Sequence, residues 1–291
     1  MNLPRRALWG FDRHVLSRPL GMNPKAGRVA MEALATALVP PRGVEIRKAG
    51  PSSRSRLLVP EGADEAPRIV WAHGGAYALN SPRVYSAFVA GVAKAIGVSV
   101  LLPAYRRAPE HPYPAALEDV VAAYRTVARE RPAIMAGDSA GGGLALGTAI
   151  TLRDAGEPLP AGLLLVSPWV DLTLSGESIT ANDGLDANLR AKDLPRHVEG
   201  YAAGMDPGDP RISPLNADLS GLPRALIQCG GDELFLSEDT GLASRLRSAG
   251  SPVELQVAEG MWHVFQAHVG MLEEADAAVE RMAAWARPLL D

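Results

Sequence analysis

The sequence predicts an α/β architecture built on a mostly parallel sheet, and three observations carry that prediction. Apolar runs short enough to be buried strands alternate with longer stretches of helical periodicity. One such run, Ala133–Ala136, ends in Gly137-Asp138-Ser139-Ala140-Gly141 and passes directly into a helix-forming stretch. Two later runs are also followed at once by polar residues, at the strand ends where open α/β sheets collect their reactive groups.

Taken in order, residues 1 to about 42 hold helical patterns, including Ala30-Met31-x-x-Leu34-x-x-x-Leu38, and no strand. Val44–Lys48 and Ser55–Val59, separated by Gly50-Pro51-Ser52, predict an antiparallel pair at the sheet edge. Parallel strands follow at Arg68–Ala72, Val98–Pro103, Ala133–Ala136, Gly162–Val166, Ala225–Cys229 and Val253–Val257. Helices fall between or after them, at Val84–Ile96, Ala115–Arg129, Gly142–Asp154, Ser237–Ala249 and Leu272–Ala286. Residues 170–215 break the alternation, being rich in Asp, Gly and Pro with short helical pieces; this segment and residues 1–42 are placed to cover the sheet's carboxyl edge.

A chain of 291 residues, 47% of them apolar, suffices for one large domain. The net charge of −4, with no Lys or Arg cluster, argues against a nucleic acid or an anionic membrane surface as partner. A single cysteine, Cys229, excludes an internal disulfide and makes the cytoplasm the expected location. Near the N-terminus, Asp12, Arg13 and His14 interrupt the apolar stretch that a signal peptide would need, and no run approaches the roughly 18 apolar residues of a membrane span. The cysteine is expected to be an inert buried residue, and neither a metal motif nor a phosphate-binding loop emerges, so no cofactor is expected.

Chemistry concentrates at the strand ends. Tiny residues two positions either side of Ser139 permit a sharp strand-to-helix turn that presents the hydroxyl. An alcohol needs a base to attack at neutral pH, and a carboxylate to orient that base. Gly230-Gly231-Asp232 follows one later strand and Glu259-Gly-Met-Trp-His263 another, so Ser139, Asp232 and His263 appear in the chain order of an α/β-hydrolase triad. The strand Arg68–Ala72 runs into His73-Gly74-Gly75-Ala76-Tyr77, whose amides, with that of Ala140, are candidate donors to an oxyanion.

These motifs resemble those of the hormone-sensitive-lipase-like, or bacterial type IV, esterases of the α/β-hydrolase superfamily. His73-Gly-Gly-Ala76 matches that family's His-Gly-Gly-Gly, Gly137-Asp-Ser-Ala-Gly-Gly142 its nucleophile elbow, and Tyr105-Arg-Arg-Ala-Pro-Glu-His-Pro-Tyr-Pro114 its connecting segment. The resemblance implies an eight-stranded sheet with helices on both faces, a helical cap made by residues 1–42 and 170–215, and an oxyanion hole at Gly75, Ala76 and Ala140, with Gly74 supporting the loop. It also makes the strand Val253–Val257 a candidate homodimer contact. Ala76 stands where the family has glycine; its N–H is retained, but its Cβ fits only if the local φ is not strongly positive.

Each assignment has a competitor. Glu233, Glu238 and Asp239 lie beside Asp232 and read as solvated acids at a helix start. His268 reads as a surface residue, His73 as a pin for the glycine loop, and His111 as a turn buttress. Trp9, Phe11 and Leu16 fit a core or a lid equally, whereas Tyr77, Leu79, Trp169 and Phe265 are candidate pocket residues. The implied activity is serine carboxylesterase, hydrolysing short to medium acyl esters. Lactone or acetyl-ester hydrolysis on the same residues is the alternative, and a silent small-molecule receptor, as in some plant hormone receptors of this family, is a reading of another class that the presence of His263 disfavours.

Overall fold

The computed structural model describes residues 3–50, 53–129 and 131–291. Eight strands form one sheet: β1 (Val44–Lys48), β2 (Arg56–Pro60), β3 (Ile69–Ala72), β4 (Val100–Leu102), β5 (Ile134–Asp138), β6 (Gly162–Val166), β7 (Ala225–Gly230) and β8 (Val253–Ala258). Their spatial order is β1-β2-β4-β3-β5-β6-β7-β8. β1, β2 and β4 pair antiparallel and the rest parallel, with Gly137 of β5 beside Ala72 of β3 and Leu165 of β6. The predicted edge pair is therefore present, although Pro51 and Ser52 of its connection lie outside the described residues.

Strand alternation sorts the core into two layers. Ile69, Trp71, Ile134, Ala136, Leu164 and Val166 face α3 (Pro82–Ile96) and α9 (Glu273–Ala286). Val70, Ala72, Met135, Leu163 and Leu165 face α4 (Ala115–Val127), α5 (Ala140–Asp154) and α8 (Leu236–Ser248). α3 shows why these stretches are helical: Ser81 caps the N–H of Val84, Pro82 occupies the first turn, and Gly97 ends the helix in the left-handed region at φ 87°.

Among the described residues, 3–42 contribute α1 (Arg5–Phe11), a π turn over Asp12–Leu16 and α2 (Pro24–Leu34), with no strand. Residues 170–215 contribute the short α6 (Glu177–Ala181) and α7 (Pro195–Ala202). The two segments meet: Trp9 Nε1 donates to the carbonyl of Leu185, and Arg13 to those of Asp186 and Leu189. Among the described residues no helix is long and apolar enough to cross a membrane.

Candidate active site

At the end of β5 the chain reverses into α5 through Ser139, whose φ of 52° and ψ of −126° lie outside the regions L-residues ordinarily occupy. Such a conformation costs about 1–3 kcal/mol and must be held by its surroundings. The Ser139 N–H donates to Val166 O of β6 at 2.9 Å, and its carbonyl accepts from Gly142, Gly143 and Trp169. A Cβ on Gly137 would lie 2.2 Å from Gly141 O, and one on Gly141 2.0 Å from Ala72 O, so the elbow admits only glycine at both places. The Ser139 side chain does not cap α5, and the residue lies on the wall of a cavity of about 1410 Å³.

His263 comes from the loop after β8, is buried, and lines the same cavity. Its Nδ1 faces Glu233 Oε1 at 3.5 Å, and Phe235 stands edge-on to its ring at 5.1 Å. Glu233, not Asp232, is thus the carboxylate brought to His263, and the sequence expectation is corrected by one residue. Glu233 is fully buried, and its Oε2 accepts from Gly230 N–H at 2.6 Å and Ser167 Oγ at 2.7 Å. Asp232, half-buried, is pinned only through its backbone N–H to Met261 O. From position 233 the extra methylene reaches back over the Gly230-Gly231 turn to the sheet edge.

The neighbouring acids are not solvated either. Glu238 is buried with Oε2 accepting from the N–H groups of Val170 and Asp171, and burial next to Glu233 holds the buried Asp239 carboxyl well above its usual range. Burial lowers the affinity of His263 for a proton, but Glu233, by hydrogen bond and charge, together with the charges of Asp186 and Asp138, outweighs it and raises the imidazole above its ordinary value.

The glycine loop after β3 is tied to the elbow by Asp138, a residue sequence reasoning passed over as the variable position of the motif. Its buried carboxylate accepts from Trp71 Nε1 at 2.9 Å, Tyr85 Oη at 2.7 Å and Gly74 N–H at 3.2 Å, while burial pushes it up to about 6. Gly74 is consequently engaged, and its N–H is not available to a ligand. The N–H groups of Gly75, Ala76 and Ala140 donate to no acceptor among the described residues, and Gly75 and Ala76 line the cavity. Ala76 does sit in the left-handed region, at φ 52°, followed by Tyr77 at 58°. The loop therefore carries its alanine under strain of about 1–2 kcal/mol.

Among the expected pocket residues, Leu79 and Trp169 line the cavity. Tyr77 and Phe265 are core residues: Tyr77 stacks on Tyr201 with centroids 3.8 Å apart and donates to Trp169 O, and Phe265 packs with Leu8 and Trp262. Phe235, Leu189 and Leu194 complete the apolar wall that sequence did not mark. Phe11 and Leu16 of the N-terminal segment also line the cavity, whereas Trp9 packs beside it. His73 stacks on Tyr105, its Nδ1 lies 2.9 Å from Gly74 O, and burial lowers it to about 3, so it stays neutral and pins the loop. His111 is exposed, its backbone N–H closing a turn on Arg107 O. His268, expected at the surface, is buried with Nε2 2.7 Å from Asp12 Oδ2, which also accepts from Trp262 Nε1. Cys229 is buried in β7.

Residues 69–267 match a family model described as the alpha/beta hydrolase fold. An acetyl-hydrolase of Streptomyces hygroscopicus is 41% identical over 223 residues, 75% of each chain. The putative acetyl-hydrolase LipR of Mycobacterium tuberculosis is 33% identical over 288 residues, 97% of this chain and 92% of that one. Among solved structures, an esterase from the bacterial hormone-sensitive lipase family superposes with a TM-score of 0.92 at 31% identity, covering 99% of this chain and all of that one. A hormone-sensitive lipase from a metagenome library gives 0.92 at 34% identity over the full length of both.

Proposed function

Because the chain belongs to the hormone-sensitive-lipase-like family of α/β-hydrolases, we propose that it is a serine carboxylesterase acting on short to medium acyl esters through an acyl-enzyme. The observation that carries this reading is a strained, uncapped Ser139 on one cavity wall with His263, whose Nδ1 is turned to a buried carboxylate. Nε2 of His263 accepts the Ser139 proton as Oγ attacks the ester carbon, while Glu233 stabilises the imidazolium. The oxyanion rests on the N–H groups of Gly75, Ala76 and Ala140, donors of this kind each contributing roughly 3 kcal/mol. His263 then protonates the departing alcohol, and water, activated by the same imidazole, attacks the acyl carbon and regenerates Ser139.

Residues 1–42 and 170–215 act as the cap, and the apolar walls from Leu79, Trp169, Leu189, Leu194 and Phe235 favour uncharged acyl groups. A second reading, hydrolysis of acetyl esters or lactones on the same residues, is supported by the relatives named acetyl-hydrolases. The exposed edge of β8, where Val257 is 46% exposed, supports a homodimer joined along that strand.

Ser139→Ala, assayed with p-nitrophenyl butyrate, is expected to lose at least about 10³-fold in kcat while keeping its fold; full turnover by that variant would overturn the mechanism. Relative kcat/KM across aryl acetates, lactones and longer acyl esters separates the two substrate readings.

A further inference from the structure

Three side chains of one cap loop, residues 182–188, grip the backbone of both loops that carry the acid and the base. Asn182 Nδ2 donates to the carbonyl of Glu233 at 2.8 Å. Asp186 Oδ2 accepts the Leu234 N–H at 3.0 Å, while its Oδ1 accepts from the N–H groups of Asn188 and Leu189 at 2.9 and 3.2 Å. Asn188 Nδ2 donates to the carbonyl of His263 at 2.7 Å. Glu233 and His263 follow the adjacent strands β7 and β8, and two backbone bonds, Gly231 N–H to Ala258 O and Asp232 N–H to Met261 O, already join the starts of their loops. Loop 182–188 adds a second tie farther along, at Glu233, Leu234 and His263 themselves, and Arg13 braces it through the carbonyls of Asp186 and Leu189.

Asp186 is fully buried and, among the described residues, its carboxylate has only backbone N–H partners and no salt bridge, an expensive arrangement for a residue that only closes a turn. Given the hydrolase reading above, we infer that Asn182, Asp186 and Asn188 are positioning residues of the acid–base pair, fixing Glu233 against His263 from the cap side and adding a second negative charge behind the imidazole. Glu233 and the edge-on ring of Phe235 contact that imidazole, and the charges of Glu233, Asp186 and Asp138 all favour its protonated form.

The test measures kcat and KM for p-nitrophenyl butyrate from pH 5 to 9, and the rate at which a fluorophosphonate labels Ser139, in the parent chain and in Asn188→Ala, Asn188→Asp, Asp186→Asn and, as a control on the same loop, Leu185→Ala. Leu185 is half exposed and enters the network only through its backbone, its N–H donating to Asn182 O and its carbonyl accepting from Trp9 Nε1, so the substitution leaves those bonds in place. Both Asn188 variants are expected to lose about tenfold in kcat, the scale of one hydrogen bond, with KM within about twofold and labelling slowed in step. Asp186→Asn is expected to move the acid limb of kcat/KM to lower pH, a change that mere loosening of the loop would not produce. Leu185→Ala should match the parent. Folded Asn188→Asp with parental kcat, or folded Asp186→Asn with an unmoved limb, overturns the inference; should Asp186→Asn unfold, Asn188→Asp decides alone. A parent that neither hydrolyses esters nor labels would instead overturn the hydrolase reading itself.

Discussion

Glu233 and Asp232 differ by one methylene and one position, yet only one of them is buried with its carboxylate on His263. Glu233→Gln removes the negative charge that stabilises the imidazolium and is expected to lower kcat/KM by about 10³- to 10⁴-fold, whereas Asp232→Asn should stay within a few-fold of the parent. Comparable losses in the two variants would return the role to Asp232. The pH profile follows from the same contacts. In the proposed mechanism His263 must be neutral to accept the Ser139 proton, and its affinity for protons is raised, so activity is expected to be full above the raised value and to fall with unit slope as pH drops through it. The midpoint is expected above 6.5, the ordinary value for histidine. A limb well below 6.5 would mean that burial, not Glu233, dominates at this imidazole. At Ala76 strain is local: its N–H is kept at the cost of a left-handed backbone, a feature the identity of the residue announced but its conformation alone decided.

Each element that delivers chemistry does so at an end. β5 places Ser139, the turn after β7 places Glu233, the loop after β8 places His263, and the loop after β3 supplies free N–H groups. The strands, the elbow glycines and the edge pair were legible because each leaves a local imprint: an apolar run, a pair of tiny residues, a turn. The N-terminal segment, expected over the carboxyl edge, left no such imprint of what fastens it there. It is fastened through Asp12, a fully buried carboxylate shared by Trp262 and His268, which flank His263 in the segment after β8. Asp12→Ala strips two buried donors of their partner and is expected to cost about 1–3 kcal/mol per orphaned group. Urea unfolding reads this as a lower midpoint, and an unchanged midpoint would show that the segment is held by its apolar contacts instead.

Over the whole molecule, the sheet carries apolar layers on both faces and leaves two edges, β1 and β8. β8 has no fully buried residue and leaves Glu254 and Val257 exposed, so a symmetric pairing of two such edges would extend the sheet across a two-fold axis. Val257→Asp is expected to convert a dimer to a monomer in sedimentation at micromolar concentration without loss of ester turnover; a parent chain that already sediments as a monomer would remove this contact. The cavity is likewise a property of the whole chain, since its walls come from between residues 3 and 41, the loop after β3, α3, residues 188–194, the loop after β8 and α9.

What the sequence by itself determined was the kind of site: a serine on a turn so tight that Gly137 and Gly141 are compulsory, followed in chain order by a carboxylate and a histidine at later strand ends. Such features depend on a few consecutive residues, where backbone sterics act. What only the tertiary structure decided was which carboxylate, which amides and which walls. Glu233 over Asp232, the engagement of Gly74 by Asp138, the core placement of Tyr77 and Phe265, and the grip of Asn182, Asp186 and Asn188 all depend on how segments far apart in the chain orient their side chains toward one another. No local pattern encodes that orientation, because it is set by contacts between the loops at the carboxyl ends of different strands and the segments packed against them.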